Sequence, residues 1–125
     1  MCDLKDFNEP EMHKVRPVVV LSPRLPYRSE IVTLVPLSTT APKHALPFCV
    51  QLSKNYHPHE DDGLSCWAKC DMVLNLSKAR LDSFKTGRRQ YFTPELTDDD
   101  LKAVRIGVLH GLGLFGLKIE HDASI

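Results

Sequence analysis

The stretch KVRPVVVLS, at residues 14–22, decides how this chain folds. It places Arg16 directly before a proline, at the start of an apolar run that ends at Leu21. The proline confines the backbone of Arg16 to extended geometry, and β-branched side chains favour strands. We therefore expect residues 18–21 to form a strand buried on both faces, with the Arg16 guanidinium at one end of it.

A cluster of hydroxyl groups follows the second apolar run of the chain. Residues 35–40 read VPLSTT and supply Ser38 and Thr39. A guanidinium can bind a phosphate through two donors, and hydroxyl groups can donate to the same oxygens. This combination is typical of a phosphate-binding site. Two structural alternatives stay open: Arg16 could pair with a surface carboxylate such as Glu11, and the hydroxyl groups could satisfy a turn.

Other segments predict a mainly β domain with short strands. Residues 30–35 and 65–73 are typical of strands, and apolar residues alternate with polar ones over residues 48–52. A polar connection is expected at residues 54–63, and a brief strand at residues 91–92. Strands at short spacing indicate a small β-barrel.

One long helix is predicted near the C-terminus. Thr97 is expected to be its N-cap, because the three aspartates at residues 98–100 would follow in the first turn, where the helix dipole favours negative charge. Its apolar stripe consists of Leu101, Val104, Val108 and Leu112. Gly111 and Gly113 offer ways to end the helix. Upstream, Ser77 is expected to cap a short helical turn.

Length, charge and cysteine content limit the class of protein. The 125 residues are expected to form one domain, residues 1–125. The formal net charge is zero, but the bases gather at residues 13–59 and 78–89, and such segregation permits a basic face on a neutral molecule. We expect a cytoplasmic protein without a membrane span, since no apolar run is long enough and no signal peptide is visible. The four cysteines are therefore expected to be free thiols.

These motifs in order resemble the PemK/MazF family of type II toxins. The resemblance also includes Pro47-Phe48 and the segment WAKCD at residues 67–71, and it covers roughly residues 9–115. It implies an SH3-like β-barrel with a C-terminal helix, whose first strand is apparently shortened here. It further implies a homodimeric, metal-independent endoribonuclease without a cofactor, whose partners are single-stranded RNA and a cognate antitoxin protein.

The resemblance assigns roles to individual residues. Arg16 matches the catalytic arginine of the family, and Ser38 stands where a catalytic threonine is usual. Asp71 falls in the segment where some members place a catalytic aspartate. The residues expected to bind RNA are Glu11, Lys14, Thr39, Lys69, Arg24 and Arg28. No metal-binding residue is implied.

The expected chemistry suits these residue types. The 2′-hydroxyl of RNA can attack the adjacent phosphate and leave a 2′,3′-cyclic phosphate and a 5′-hydroxyl. Arg16 would stabilise the charge that develops on the phosphoryl oxygens, and Ser38 would donate to them. Asp71 or Glu11 would take the proton from the 2′-hydroxyl.

Other interpretations of the sequence stay open. A catalytically silent SH3-like barrel that binds RNA or an antitoxin peptide would carry the same motifs. The histidines and acids of residues 57–62 are metal-ligand types, but they lie in one loop and are expected to be solvated. The base specificity is expected to come from loops, notably residues 24–29 and 41–47.

Overall fold

The computed structural model describes residues 1–3, 15–22, 30–61 and 63–116. A short 3-10 helix, Lys78–Arg80, precedes the last two strands. The elements in chain order are β1 (Cys2–Asp3), β2 (Val15–Arg16), β3 (Val18–Val20), β4 (Ile31–Ser38), β5 (Cys49–Gln51), β6 (Trp67–Lys69), β7 (Leu74–Ser77), β8 (Phe84–Gly87), β9 (Gln90–Phe92) and α1 (Asp98–Gly111).

Strand β4 is the centre of the main antiparallel sheet. It pairs with β3 along one side and with both β7 and β6 along the other, and β5 extends the sheet beyond β6. Two further antiparallel pairs, β1–β2 and β8–β9, form separate two-stranded sheets. The mainly β fold with a C-terminal helix is thus confirmed. Within the described residues these pairings do not close into a barrel, so the SH3-like barrel stays a prediction.

Pro36 lies inside this central strand, where proline is normally excluded. The Leu37 N–H donates to the Pro17 carbonyl on the β3 side at 2.9 Å. Because successive N–H groups alternate in direction, the nitrogen of Pro36 faces the other side. There β7 pairs as far as Leu34 and β6 begins at Leu37. The missing N–H therefore falls in the gap between two partners, where it costs no ladder bond.

The core has two parts because the residues of β4 alternate between its two faces. Val35 and Leu37 belong to a larger cluster that β6 and α1 complete, and Val32 and Leu34 belong to a smaller one that includes Cys2. The expectation of a strand buried on both faces thus applies to β4 and holds only in part for β3. In β3 Val19 is buried in the larger cluster and Val18 packs against the smaller one, but Val20, on the same face as Val18, is 45% exposed.

The strand boundaries differ from the expected ones in two places. Strand β4 runs three residues past the predicted end, to Ser38. The predicted strand at residues 65–73 is only β6, since a turn at residues 70–71 interrupts it before β7, which runs along β4 in the same direction as β6. The other expectations were closer. Strand β5 lies within residues 48–52, β9 includes the predicted residues 91–92, and the Ser77 hydroxyl caps the 3-10 helix by accepting from the Ala79 N–H at 3.2 Å.

Helix α1 begins as predicted and packs through small residues. The Thr97 hydroxyl accepts from the Asp100 N–H at 3.2 Å, which confirms the N-cap. A Cβ added at Gly107 would lie 2.6 Å from Val50 and one at Gly111 would lie 2.7 Å from the Cys70 carbonyl. These glycines and the fully buried Val104 let the helix approach β5 and β6 closely.

The C-terminal end of α1 confirms the predicted role of the glycines and corrects the prediction for Leu112. The helix ends at Gly111, and Gly113 follows with a φ of 72°. The Leu114 N–H donates to the Leu109 carbonyl at 2.7 Å, as in a Schellman motif. Leu112 does not belong to the buried stripe, because it is 53% exposed. The face of the helix that contacts the sheet instead includes Gly107 and Gly111.

Two cysteines lie beneath the helix, on the face of β6 that they share with Ala68. Cys66 and Cys70 are buried in the larger cluster, as their spacing predicts for a strand. Burial raises the pKa of the Cys66 thiol to about 11 and that of the Cys70 thiol to about 12. None of the four cysteines of the chain forms a disulfide.

Candidate functional site

The structure brings Arg16 and Ser38 together in one cavity of about 180 Å³. The chain passes from β2 through Pro17 into β3, beside the end of β4, and the bond from the Leu37 N–H to the Pro17 carbonyl fixes this contact at 2.9 Å. The cavity is lined by Arg16, Pro17, Leu37, Ser38, Thr39, Asn55, Glu60 and Cys66. The Arg-Pro motif and the hydroxyl cluster thus meet as their proposed chemistry requires.

Arg16 is half-buried and lines the cavity. Its Nε is buried and has no hydrogen-bond partner among the described residues. No residue described in the structure forms an ion pair with it. The alternative partner Glu11 lies outside the described residues. A buried donor that lacks an acceptor costs free energy unless a bound group supplies one.

Hydroxyl groups occupy the wall where β4 ends. The Ser38 oxygen accepts from the Thr40 N–H at 3.1 Å, so its hydrogen is left for another acceptor. Thr39 is exposed and lines the same cavity. Lys69 does not line it, but its Nζ donates to the Thr40 carbonyl at 3.2 Å and so steadies this segment.

Two residues of the connection between β5 and β6 complete the cavity, and neither was expected from the sequence. Asn55 is 6% exposed, and its Nδ2 has no partner among the described residues. Glu60 is half-buried, with one carboxylate oxygen 3.8 Å from His57 Nε2. The His59 N–H donates to His57 Nδ1 at 3.1 Å, so the proton of a neutral His57 ring is on Nε2 and faces Glu60.

The first turn of α1 holds this connection in place. The buried Asp100 carboxylate accepts from the Ser53 N–H at 3.1 Å, from the Ser53 hydroxyl at 2.7 Å and from the Tyr56 hydroxyl at 2.6 Å. Burial tends to raise the pKa of Asp100, but the bonds from Tyr56 and Ser53 outweigh it and lower that pKa below its usual value. Asp100 thus clamps the residues on both sides of Asn55.

A cationic hairpin lies against the same connection. The His59 ring donates to the Lys85 carbonyl, and the His57 and Phe84 rings pack edge to face with centroids 4.6 Å apart. The hairpin β8–β9 carries Lys85, Arg88, Arg89, Tyr91 and Phe92 on its exposed positions. It contains no acidic residue.

The family of the chain follows from a comparison with models of protein families. The model described as "PemK-like, MazF-like toxin of type II toxin-antitoxin system" matches residues 1–110. The chain belongs to this family. Membership supports a toxin role and implies an antitoxin partner. No curated protein matches this PemK-like toxin.

The other predicted site residues either lie away from the cavity or fall outside the described residues. Asp71 is exposed in the turn after β6 and does not line the cavity, since its backbone lies against Gly111 near the end of α1. Its catalytic role stays a prediction. Four predicted RNA-binding residues fall outside the described residues, namely Glu11, Lys14, Arg24 and Arg28.

Neither a membrane-spanning helix nor a metal-binding cluster is present in the described residues. No helix there is long and apolar enough to cross a membrane. No group of three or more histidine, cysteine, aspartate or glutamate side chains there could hold a metal ion. Instead, His57 lies near Glu60, the His59 ring contacts the Lys85 carbonyl, and Glu60 lines the cavity.

Proposed function

We propose that this toxin is a metal-independent endoribonuclease that cuts single-stranded RNA, including mRNA. One observation carries the proposal: the Arg16 guanidinium, with its buried and unpartnered Nε, shares a cavity with the Ser38 hydroxyl. A phosphodiester would supply the acceptors that both groups lack. Membership of a toxin family supports the same activity.

In the proposed reaction the 2′-oxygen bonds to phosphorus while the bond to the 5′-oxygen breaks. The products are a 2′,3′-cyclic phosphate and a 5′-hydroxyl. Arg16 binds the phosphoryl oxygens and stabilises their growing negative charge in the transition state. The Ser38 hydroxyl donates to the same oxygens. The leaving 5′-oxygen takes its proton from water.

The 2′-hydroxyl must lose its proton, and Glu60 is the carboxylate among the described residues that line the cavity. His57 Nε2 lies 3.8 Å from one oxygen of this carboxylate and helps to orient the group. We therefore assign proton removal to Glu60 rather than to Asp71, which does not line the cavity. Thr39 and Lys69 are assigned to the RNA path along the same wall.

The proposal extends to the assembly of the toxin. The sheet would form part of an SH3-like barrel in a homodimer, and the toxin would act in the cytoplasm. An antitoxin segment rich in acidic and apolar residues would inhibit it by covering the cavity and the cationic hairpin β8–β9. Charge complementarity supports this, since that hairpin lies against the connection that lines the cavity.

Incubation of purified toxin with single-stranded RNA in the presence of EDTA tests the activity. We expect fragments that end in a 2′,3′-cyclic phosphate. Arg16→Ala should lose cleavage, because the transition state loses its main cationic donor, whereas Arg16→Lys should keep only part of it, since a lysine lacks the two parallel donors.

The matched control is Arg105→Ala, which removes an exposed arginine from α1. Thermal unfolding of each variant would show whether lost activity reflects lost structure. Full cleavage by a folded Arg16→Ala protein would contradict the proposed site. RNA that stays intact with wild-type toxin would favour a catalytically silent binding module.

A further inference from the structure

We infer that Asn55 is a phosphate-binding residue of this site, whose side-chain NH₂ group and Arg16 Nε together bind the backbone phosphate of the RNA. This inference rests on the proposed function, because it names a further contact to the same substrate. It gives the connection between β5 and β6 a direct part in substrate binding. None of the sequence motifs marks Asn55 for such a role.

The orientation of the Asn55 amide is fixed by its own loop. Its Oδ1 accepts from the His57 N–H at 2.9 Å, so the opposite end of the amide must be the NH₂ group. That group is buried and has no acceptor among the described residues. A buried amide without a partner is rare in native proteins, and each case needs a physical explanation.

The position of Asn55 indicates what kind of group would satisfy it. Asn55 lines the cavity together with Arg16, whose Nε is also buried and unpartnered. Two donors without described partners, one of them cationic and both on residues that line one cavity, favour an anionic acceptor. A third such donor, Trp67 Nε1, does not line this cavity and is not part of the inference.

The loop is rigid enough for a positioned contact. Ser53 and Tyr56, on either side of Asn55, are both bound to the Asp100 carboxylate of α1. The Asn55 side chain is therefore held before any ligand arrives, and little conformational entropy is lost when a phosphate binds. Preorganised donors of this kind also gain strength where water is excluded.

Asn55→Asp is the sharpest variant, because it retains the oxygen that accepts from His57 N–H and replaces the NH₂ group with a second oxygen. Asn75→Asp is its matched control. Asn75 is exposed on β7, and its Oδ1 likewise accepts a hydrogen bond, from the Thr33 hydroxyl. Both variants add one negative charge, but only one of them removes a donor from the cavity. Asn55→Ser removes the amide without adding charge.

The probe is single-stranded 2′-O-methyl RNA of random sequence, which lacks the attacking hydroxyl and stays intact. We expect Asn55→Asp to weaken its binding roughly 10- to 100-fold, as for a lost hydrogen bond to a charged group. Asn55→Ser should weaken it less, and Asn75→Asp should leave it near the wild-type value. Thermal unfolding of each variant verifies that the fold is retained.

The outcomes separate this inference from the proposed function. Equal affinities for wild-type toxin and a folded Asn55→Asp protein would overturn the inference, as would equal losses in Asn55→Asp and Asn75→Asp. Wild-type toxin that does not bind the probe would overturn it as well. Wild-type toxin that binds the probe through Asn55 but cuts no RNA would contradict the nuclease proposal alone.

Discussion

At the scale of single residues, the proposed role of Glu60 as the proton acceptor can be tested with one substitution. Glu60→Gln keeps the shape of the side chain but cannot take a proton from the 2′-hydroxyl. We expect cleavage to fall roughly 10²- to 10⁴-fold, the usual contribution of a general base. Binding of 2′-O-methyl RNA should be retained or improve, because a negative charge leaves the phosphate site. Cleavage rates and affinities of the same preparation measure both effects.

Asp71→Asn is the natural comparison for this experiment. Asp71 is a carboxylate outside the cavity, so its amide variant should cut RNA at close to the wild-type rate. The reverse pattern, with activity lost in Asp71→Asn and kept in Glu60→Gln, would return the base to the residue that the sequence suggested.

Part of the candidate site could be predicted from short sequence motifs. Arg16 and Ser38 lie in short motifs, and the backbone rules for the residue before a proline and for hydroxyl-rich strand ends place them locally. Asn55 and Glu60 lie in a polar connection without a motif of its own. A carboxylate of α1, far along the chain, binds their loop and helps to hold it at the cavity. Local patterns cannot report such a contact.

At the scale of elements, the hydrogen bonds from the β5–β6 connection to Asp100 of α1 stabilise the fold and position the residues that line the cavity. Asp100→Asn should lower the free energy of unfolding at neutral pH by about 1–3 kcal/mol, because buried bonds to a charged group are lost or weakened. Asp98→Asn is the control, since Asp98 is exposed in the same helical turn. Denaturant unfolding curves at neutral and acid pH give the comparison.

The pH dependence of this difference has a definite sign. The pKa of Asp100 is lower in the folded protein than its usual value. Its stabilising contribution is therefore present above the unfolded-state pKa, about 4, and is lost as the pH falls through the lower, folded-state pKa. The wild type and Asp100→Asn should converge in stability at acid pH. A gap that stays constant would show that the carboxylate charge is not what holds the loop.

The boundaries of the elements likewise depend partly on local sequence and partly on contacts with distant parts of the chain. The N-cap of α1 and the cap of the 3-10 helix follow from single hydroxyls and were predicted from the sequence. The lengths of β4 and β6 were not, because β4 exchanges one partner for another at Pro36 and a turn at residues 70–71 ends β6. The packing of α1 through Gly107 and Gly111 also depends on how closely the sheet approaches.

Considered as a whole, the molecule has no net charge, yet its charges are unevenly placed. The hairpin β8–β9 combines Lys85, Arg88 and Arg89 with Tyr91 and Phe92, which are 66% and 50% exposed. Cationic side chains beside exposed aromatic rings are typical of surfaces that bind single-stranded nucleic acid. The hairpin contacts His57 and His59, so under the proposed function RNA that leaves the cavity would follow it.

Replacement of both hairpin arginines tests this path. Arg88→Gln combined with Arg89→Asn suits the positive φ of 58° at residue 89, which asparagine tolerates. We expect weaker RNA binding and a shallower dependence of log affinity on log salt, by roughly 0.7 for each lost phosphate contact.

The control pair for the hairpin is Lys102→Gln with Arg105→Gln, which removes the same charge from the exposed side of α1. Affinities at several salt concentrations distinguish the two. If both double variants lose affinity and salt dependence equally, the toxin is responding to its net charge, and the hairpin has no particular role.

The buried thiols have a consequence for redox chemistry. With pKa values of about 11 and about 12, Cys66 and Cys70 are almost entirely protonated at neutral pH, and oxidants and alkylating reagents attack the thiolate. Both also lie in the core that α1 covers. In the folded toxin these two positions are therefore inert, and they become reactive when the helix separates from the sheet. Their reactivity is a built-in indicator of that separation.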